Sequence, residues 1–172
     1  MIAILQYPNP RLHKKAELVT DVLAPDVQAM IDDMLYTLEH TDNCAALAAT
    51  QLDFAHPKAI TVLNDYSKDG TQPRCLINPV IIAREGEQCE EEGCMSVYPR
   101  HIYEPVKRAA RVTVRALDRQ GNTIEYTGEG YIAKMLQHEI DHLNGLIYLQ
   151  HLSSVKRLRI DEKIKKISKK KP

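Results

Sequence analysis

The chain has 172 residues, 44% of them apolar and 27% charged, with a single Phe and no Trp; this is the profile of one globular domain with an aliphatic core. No run of about 18 apolar residues occurs, and the start "MIAILQYPNPRLHKK" lacks a charged segment followed by a long apolar one, so neither a membrane span nor a secretory signal is expected and the expected compartment is the cytoplasm. Charge cancels overall, yet residues 155–172 carry nine Lys/Arg against Asp161 and Glu162, net +7 on a body of −7, a candidate contact for polyanions such as RNA and otherwise a solubilising terminus.

In chain order, "YPNPRL" is extended and turn-rich, because Pro8 and Pro10 disfavour helix in the residues before them. Val27, Met30, Ile31, Met34, Leu35 and Leu38 then fall on one helical face, opened by Pro25 and closed by the polar "HTDN" at 40–43. The small-residue stretch "CAALAATQ" (44–51) follows. "KAITVLN" and "RCLINPVIIA" read as strands, and "EGEQCEEEGCMSV" is acidic and partly alternating. "RVTVRALDRQGNTIEYTG" reads as a hairpin turning at "RQGN". From Gly130, the residues Ile132, Met135, Leu136, Ile140 and Leu143 return to helical spacing, with Gly145 as the stop. Val155, Leu158, Ile164 and Ile167 suggest a last helix with a basic outer face. Cys44, Cys75, Cys89 and Cys94 are too few and too scattered for a disulfide scaffold.

The chemistry concentrates in "QHEIDHLNG" (137–145). His138 and His142 sit one helical turn apart, so both imidazoles project from one face and can reach one metal ion, with Glu139 beside them to hydrogen-bond a water. A chain of this His and Glu content holds roughly 0.02 such matches by chance. A catalytic metal usually takes three protein ligands. His151 is the only later histidine, and its spacing does not fit the extended HExxHxxGxxH form. Cys94 follows Gly93 in a break between strand-like segments, where a thiolate could face a cleft and complete a Cys/His/His set.

"EGCMS" (92–96) and "QHEIDHLNG", in that order, resemble the second and third motifs of the peptide deformylases, and "CAALAATQ" stands where the family's Gly-x-Gly-x-Ala-Ala-x-Gln belongs. "YPNPRL" and "GLIYLQHL" are also similar to the family, so the resemblance covers about residues 1–155. It implies an α+β fold with antiparallel β-sheets packed around a central metal-binding HExxH helix, an N-terminal helix and a basic C-terminal helix. Residues 1–154 would form the catalytic domain, and 155–172 a basic helix or tail of the same domain. It implies a hydrolase that removes the formyl group from N-terminal formyl-methionine. Cys94, His138 and His142 would bind one divalent ion, Fe²⁺ in the cell and replaceable by Ni²⁺, Co²⁺ or Zn²⁺. Glu139 would move the proton from water to the leaving amine, and the Gln51 amide and Met95 N–H would face the oxyanion. Ala45, Ala46, Gly93, Tyr131 and Met135 would contact substrate or line the methionine pocket. Asp141 would support the site from behind, and Glu92 would orient the Cys94 turn through Arg108 or Arg111. The partners implied are formylated peptides and nascent chains, with a ribosome contact through Lys163, Lys165, Lys166, Lys169, Lys170 and Lys171; neither membrane nor DNA is expected.

The first motif departs from the family, with Cys44 and Ala46 at its glycine positions. Glycine there permits unusual backbone angles or close approach of substrate. Cys44 could pack, narrow the entrance or react with oxidants. The family's peptide-holding Arg, seven residues past the metal Cys, is His101 here, beside Arg100. Two alternatives to an active deformylase follow: a weakly active or inactive metal-binding homologue that serves as a binding module, and a metallopeptidase sharing only HExxH.

Overall fold

Alternation along the strands sets the architecture. In the computed structural model, which describes residues 1–65, 72–99 and 101–169, strand β2 (Ile60–Asp65) sends Ile60 and Val62 to one side and Leu63 to the other. Helix α1 (Pro25–Glu39) covers the first side with Ile31, Met34 and Leu38, and α2 (Gly130–Leu143) covers the second with Met135, Leu136 and Ile140. The other strands of this sheet are β1 (Ala46–Ala48), β3 (Gln72–Glu85), β6 (Arg111–Leu117) and β7 (Thr123–Glu129). They run antiparallel in the order β1-β2-β3-β6-β7. Strand β6 buries Val112, Val114 and Ala116 under α2. Its outward Arg115 pairs with Glu125 of β7 at 2.9 Å, the alternation expected of a sheet wet on one face.

Strands β4 (Gln88–Glu92) and β5 (Glu104–Arg108) form a separate antiparallel pair, and the segment joining them, 93–103, carries Cys94. Strand β3 changes register between Ile77 and Val80 and again between Ile81 and Ala83, bulges of the kind that bend a long strand. Asn78 lies there at φ 50°, held by side-chain hydrogen bonds with the Val19 N–H (2.9 Å) and carbonyl (2.8 Å). Helix α2 ends at Gly145, φ +77°, where a Cβ would stand 2.6 Å from the His13 carbonyl oxygen. Backbone angle and space both demand glycine at this stop.

The expected hairpin, helix starts and helix stops agree with these elements, and three features differ. "CAALAATQ" supplies the short β1 and a 3-10 turn (Ala49–Gln51), too brief to show a period. Strand β5, "EPVKR", has no legible alternation in the sequence, because Pro and three charges hide it. In the last helix, α3 (Ser154–Ser168), the buried face is Ile160 and Ile164, with Ile167 partly covered, while Val155 and Leu158 are exposed. The Ser153 side chain accepts from the Lys156 N–H at 3.4 Å, and the helix that starts there aims the first-turn apolar residues at solvent.

Helix α3 is thereby part of the core. Ile160 and Ile164 pack with Cys94, Val97, Ile102 and Val106. Lys163 donates to the His101 carbonyl at 2.6 Å, Lys156 pairs with Glu104 at 3.1 Å, and the Tyr7 hydroxyl donates to Asp161 at 2.9 Å. Arg100, Lys170 and Lys171 lie outside the described residues. Ile164→Ala should cost about 2–4 kcal/mol in a urea melt; an unchanged midpoint would mean that α3 is only tethered.

Candidate metal centre

On α2 the one-turn spacing brings the His138 and His142 Nε2 atoms to 3.2 Å, and Cys94 Sγ stands 3.2 Å from His142 Nε2. The three donor atoms lie within 4.8 Å of one another. A tetrahedral ion with ligands at about 2.0–2.3 Å separates its donors by about 3.3–3.7 Å, so the set fits one ion with little adjustment. One sulfur and two imidazoles suit a late first-row divalent metal. Burial, with His138 adding to it, holds His142 well below its ordinary pKa, which leaves a neutral ring with a lone pair to donate.

A train of buried charge fixes His138 from behind. Its Nδ1 meets Glu92 Oε2 at 2.8 Å, so Nε2 is turned to the donor cluster. Glu92 receives a two-armed contact from Arg108, at 2.7 Å and 3.0 Å. Arg108 also donates to Asp141 at 2.5 Å, and Asp141 meets His151 at 2.7 Å. Of the two arginines considered for Glu92, Arg108 is therefore the partner; Arg111 faces Glu129 at 3.5 Å. Burial alone would raise the Glu92 pKa, but His138 and Arg108 outweigh it and hold the carboxyl at about 2, against an ordinary 4.5. The stability carried by this depressed carboxylate is complete above about pH 4.5 and is lost as pH falls toward 2. The ring of Tyr148 lies 6.0 Å from that of His138 at 28°, and its hydroxyl donates to the Ile102 carbonyl at 3.2 Å.

Glu139 has no such support. Burial pushes its carboxyl up to about 7, and its Oε2 is buried with no hydrogen-bond partner among the described residues. A carboxyl poised near neutrality can both take and give a proton, and an orphaned buried oxygen is what a reacting water would satisfy. Gln51 completes the near wall. Its Oε1 accepts the Ala48 N–H at 2.8 Å, which directs Nε2 toward Cys94 Sγ (3.4 Å) and Ser96 Oγ (3.2 Å). The Thr50 hydroxyl ties this turn to α2 by donating to the His142 carbonyl at 2.8 Å.

These groups share a cleft of about 260 Å³, lined also by Ala45, Ala46, Gly93, Met95, Tyr131 and Met135. His142 lies beneath it, 1% exposed. The expected Cys94, His138, Glu139 and Gln51 thus line the cleft with the substrate-side residues, while Asp141, Arg111 and His101 do not. A Cβ at Gly93 would fall 2.5 Å from the Tyr103 ring, so the Cys94 turn and that ring can pack only around a glycine. Neither Cys44 nor Ala46 has a positive φ, so replacing the family's glycines strains no backbone here. Cys44 packs under α1, its thiol pushed up to about 12 mainly by burial and so held neutral. His101 is exposed and does not line the cleft, while its carbonyl is held by Lys163. The sequence reading missed Tyr103, Tyr148, Ser96 and Lys134. Only Lys134 had a legible signal, four residues before His138 on the same helical face.

The chain matches the family model for polypeptide deformylase over residues 1–158. It is 52% identical to peptide deformylase 1 of Coxiella burnetii, over 97% of this chain and 96% of that one. It is 42% identical to the peptide deformylase of Nitrosococcus oceani, over 96% and 95%. The crystal structure of a peptide deformylase from Legionella pneumophila superimposes with a TM-score of 0.86 at 37% identity, covering 100% of this chain and 99% of that one.

Arg108→Met would strand Glu92 and Asp141 with no buried cation, and we expect a loss of about 3–5 kcal/mol in denaturant melts. Adding Glu92→Met should return part of it. A single variant with an unchanged midpoint would show that the train does not hold this part of the fold.

Proposed function

The chain belongs to the polypeptide deformylase family, metal-dependent hydrolases that remove the formyl group from N-terminal formyl-methionine, and we propose that Cys94, His138 and His142 hold the one divalent ion it needs. We assign Fe²⁺ as the ion in the cell, with Ni²⁺, Co²⁺ and Zn²⁺ as substitutes, and the cytoplasm, where chains are made, as its compartment. One observation carries the reading: three buried donors gather beside an unpartnered buried carboxylate oxygen of Glu139 in a single cleft.

A divalent ion held by Cys94, His138 and His142 would supply Lewis acidity, lowering the pKa of a water so that it can give up a proton near neutral pH. Glu139 accepts the proton of that water and delivers it to the amine nitrogen, which leaves as a neutral amine while the formyl group departs as formate. Gln51 Nε2 and the Met95 N–H donate to the oxygen on which negative charge develops; one such donor is commonly worth about 100- to 1000-fold in kcat. Glu92 keeps His138 in the tautomer that turns Nε2 to the ion, and Arg108 keeps Glu92 ionised. Ala45, Tyr131 and Met135 receive the methionine side chain, with Ala46 and Gly93 bordering it. Asp141 supports Arg108 from α2.

The basic face of α3 is proposed as a ribosome contact, since the substrate is a nascent chain. Lys165, Lys166 and Lys169 extend it beyond the core-facing residues Ile160 and Ile164. Lys163 already holds the His101 carbonyl.

Formate release from formyl-Met-Ala-Ser by protein loaded with Fe²⁺ or Ni²⁺ tests the centre directly. Cys94→Ala should lose nearly all bound metal. Glu139→Gln should keep its metal and lose about 10²- to 10⁴-fold in kcat; full activity in that variant would remove Glu139 from the mechanism. Replacing Lys165, Lys166 and Lys169 with Gln should weaken co-sedimentation with ribosomes and lower the salt slope by about one per lysine. Unchanged co-sedimentation would leave α3 a structural helix only.

A further inference from the structure

Lys134 is the one lysine or arginine among the described residues lining the cleft. It stands one helical turn before His138 on α2, between Tyr131 and Met135, where the proposed function seats the methionine side chain. Its Nζ crosses from α2 to β4 and donates to the Glu91 carbonyl at 2.8 Å, and it lies 5.3 Å from the centre of the Tyr131 ring. No carboxylate among the described residues forms an ion pair with it. An ammonium has three protons to donate, so two remain after the Glu91 carbonyl. Of the other acids in the cleft, Glu92 is taken up by Arg108 and His138, and Glu91 offers Lys134 its carbonyl oxygen without forming an ion pair.

We propose that Lys134 is a specificity-determining residue: its ammonium favours formylated chains with an acidic side chain in one of the two residues after formyl-Met. This rests on the deformylase reading. With the formyl group at Cys94, His138 and His142 and the methionine side chain against Tyr131 and Met135, the following residues on this reading come within reach of Lys134, which lines the same cleft. An exposed charge pair in such a cleft gives a modest preference, about three- to fivefold in kcat/KM at low salt, shrinking as salt screens it.

The test compares kcat/KM of the metal-loaded full chain on formyl-Met-Glu-Ser against formyl-Met-Gln-Ser, and on formyl-Met-Ala-Glu-Ser against formyl-Met-Ala-Gln-Ser. The unaltered protein should favour Glu in at least one pair. Lys134→Arg should retain that preference, Lys134→Gln should bring the ratio to about one, and Lys134→Glu should invert it. A ratio of one in both pairs for the unaltered protein, or a ratio that survives Lys134→Gln, overturns the inference while turnover itself leaves the deformylase reading standing. Failure to release formate from any of the four peptides would instead strike the deformylase reading.

Discussion

The buried guanidinium of Arg108 is the constraint on which this molecule turns. It lies on β5, yet it neutralises one acid from β4 and another from α2, joining three elements through one charge. A buried carboxylate is tolerable only when paired, so Glu92 can lie behind His138 only because Arg108 lies behind Glu92. The ring that must offer its Nε2 is thus oriented by electrostatics two residues deep, and those residues come from a two-stranded unit separate from the main sheet. The site needs this second sheet as much as it needs the helix carrying the histidines.

The pairing also explains a division of labour among the acids. Glu92 and Asp141 both have a cation and stay ionised. Glu139 shares the same depth but forms no ion pair among the described residues, and burial outweighs the pull of His138 on its carboxyl. Three carboxylates within one short stretch of structure are thereby given two different chemistries by what lies beside them, with no difference in side-chain type between Glu92 and Glu139.

Much of this was legible in the residues themselves. Helical spacing located α1 and α2, and the interval from His138 to His142 placed two imidazoles on one face with no reference to tertiary structure. Cys94 was harder, because nothing local ties it to α2; only its place after Gly93 in a strand break, together with the family motif, pointed to it. Tyr148 could not be found that way. It supports His138 through a ring contact made by chain reversal after Gly145, and no period or motif encodes such a meeting. Strand β5 was hidden for a related reason: Arg108, its most consequential residue, is a charge buried where alternation predicts an apolar side chain. The first motif was read as a hazard because glycine permits what other residues cannot. In this fold those positions have ordinary backbone angles, and Cys44 simply fills space under α1.

Helix α3 follows both histidines along the chain, yet its Ile160 and Ile164 seal the cluster that contains Cys94 and Ile102. The sulfur is therefore steadied by a distant segment, whereas the two imidazoles share one helix. Loosening of α3 would be felt at the cysteine before it reached the histidines.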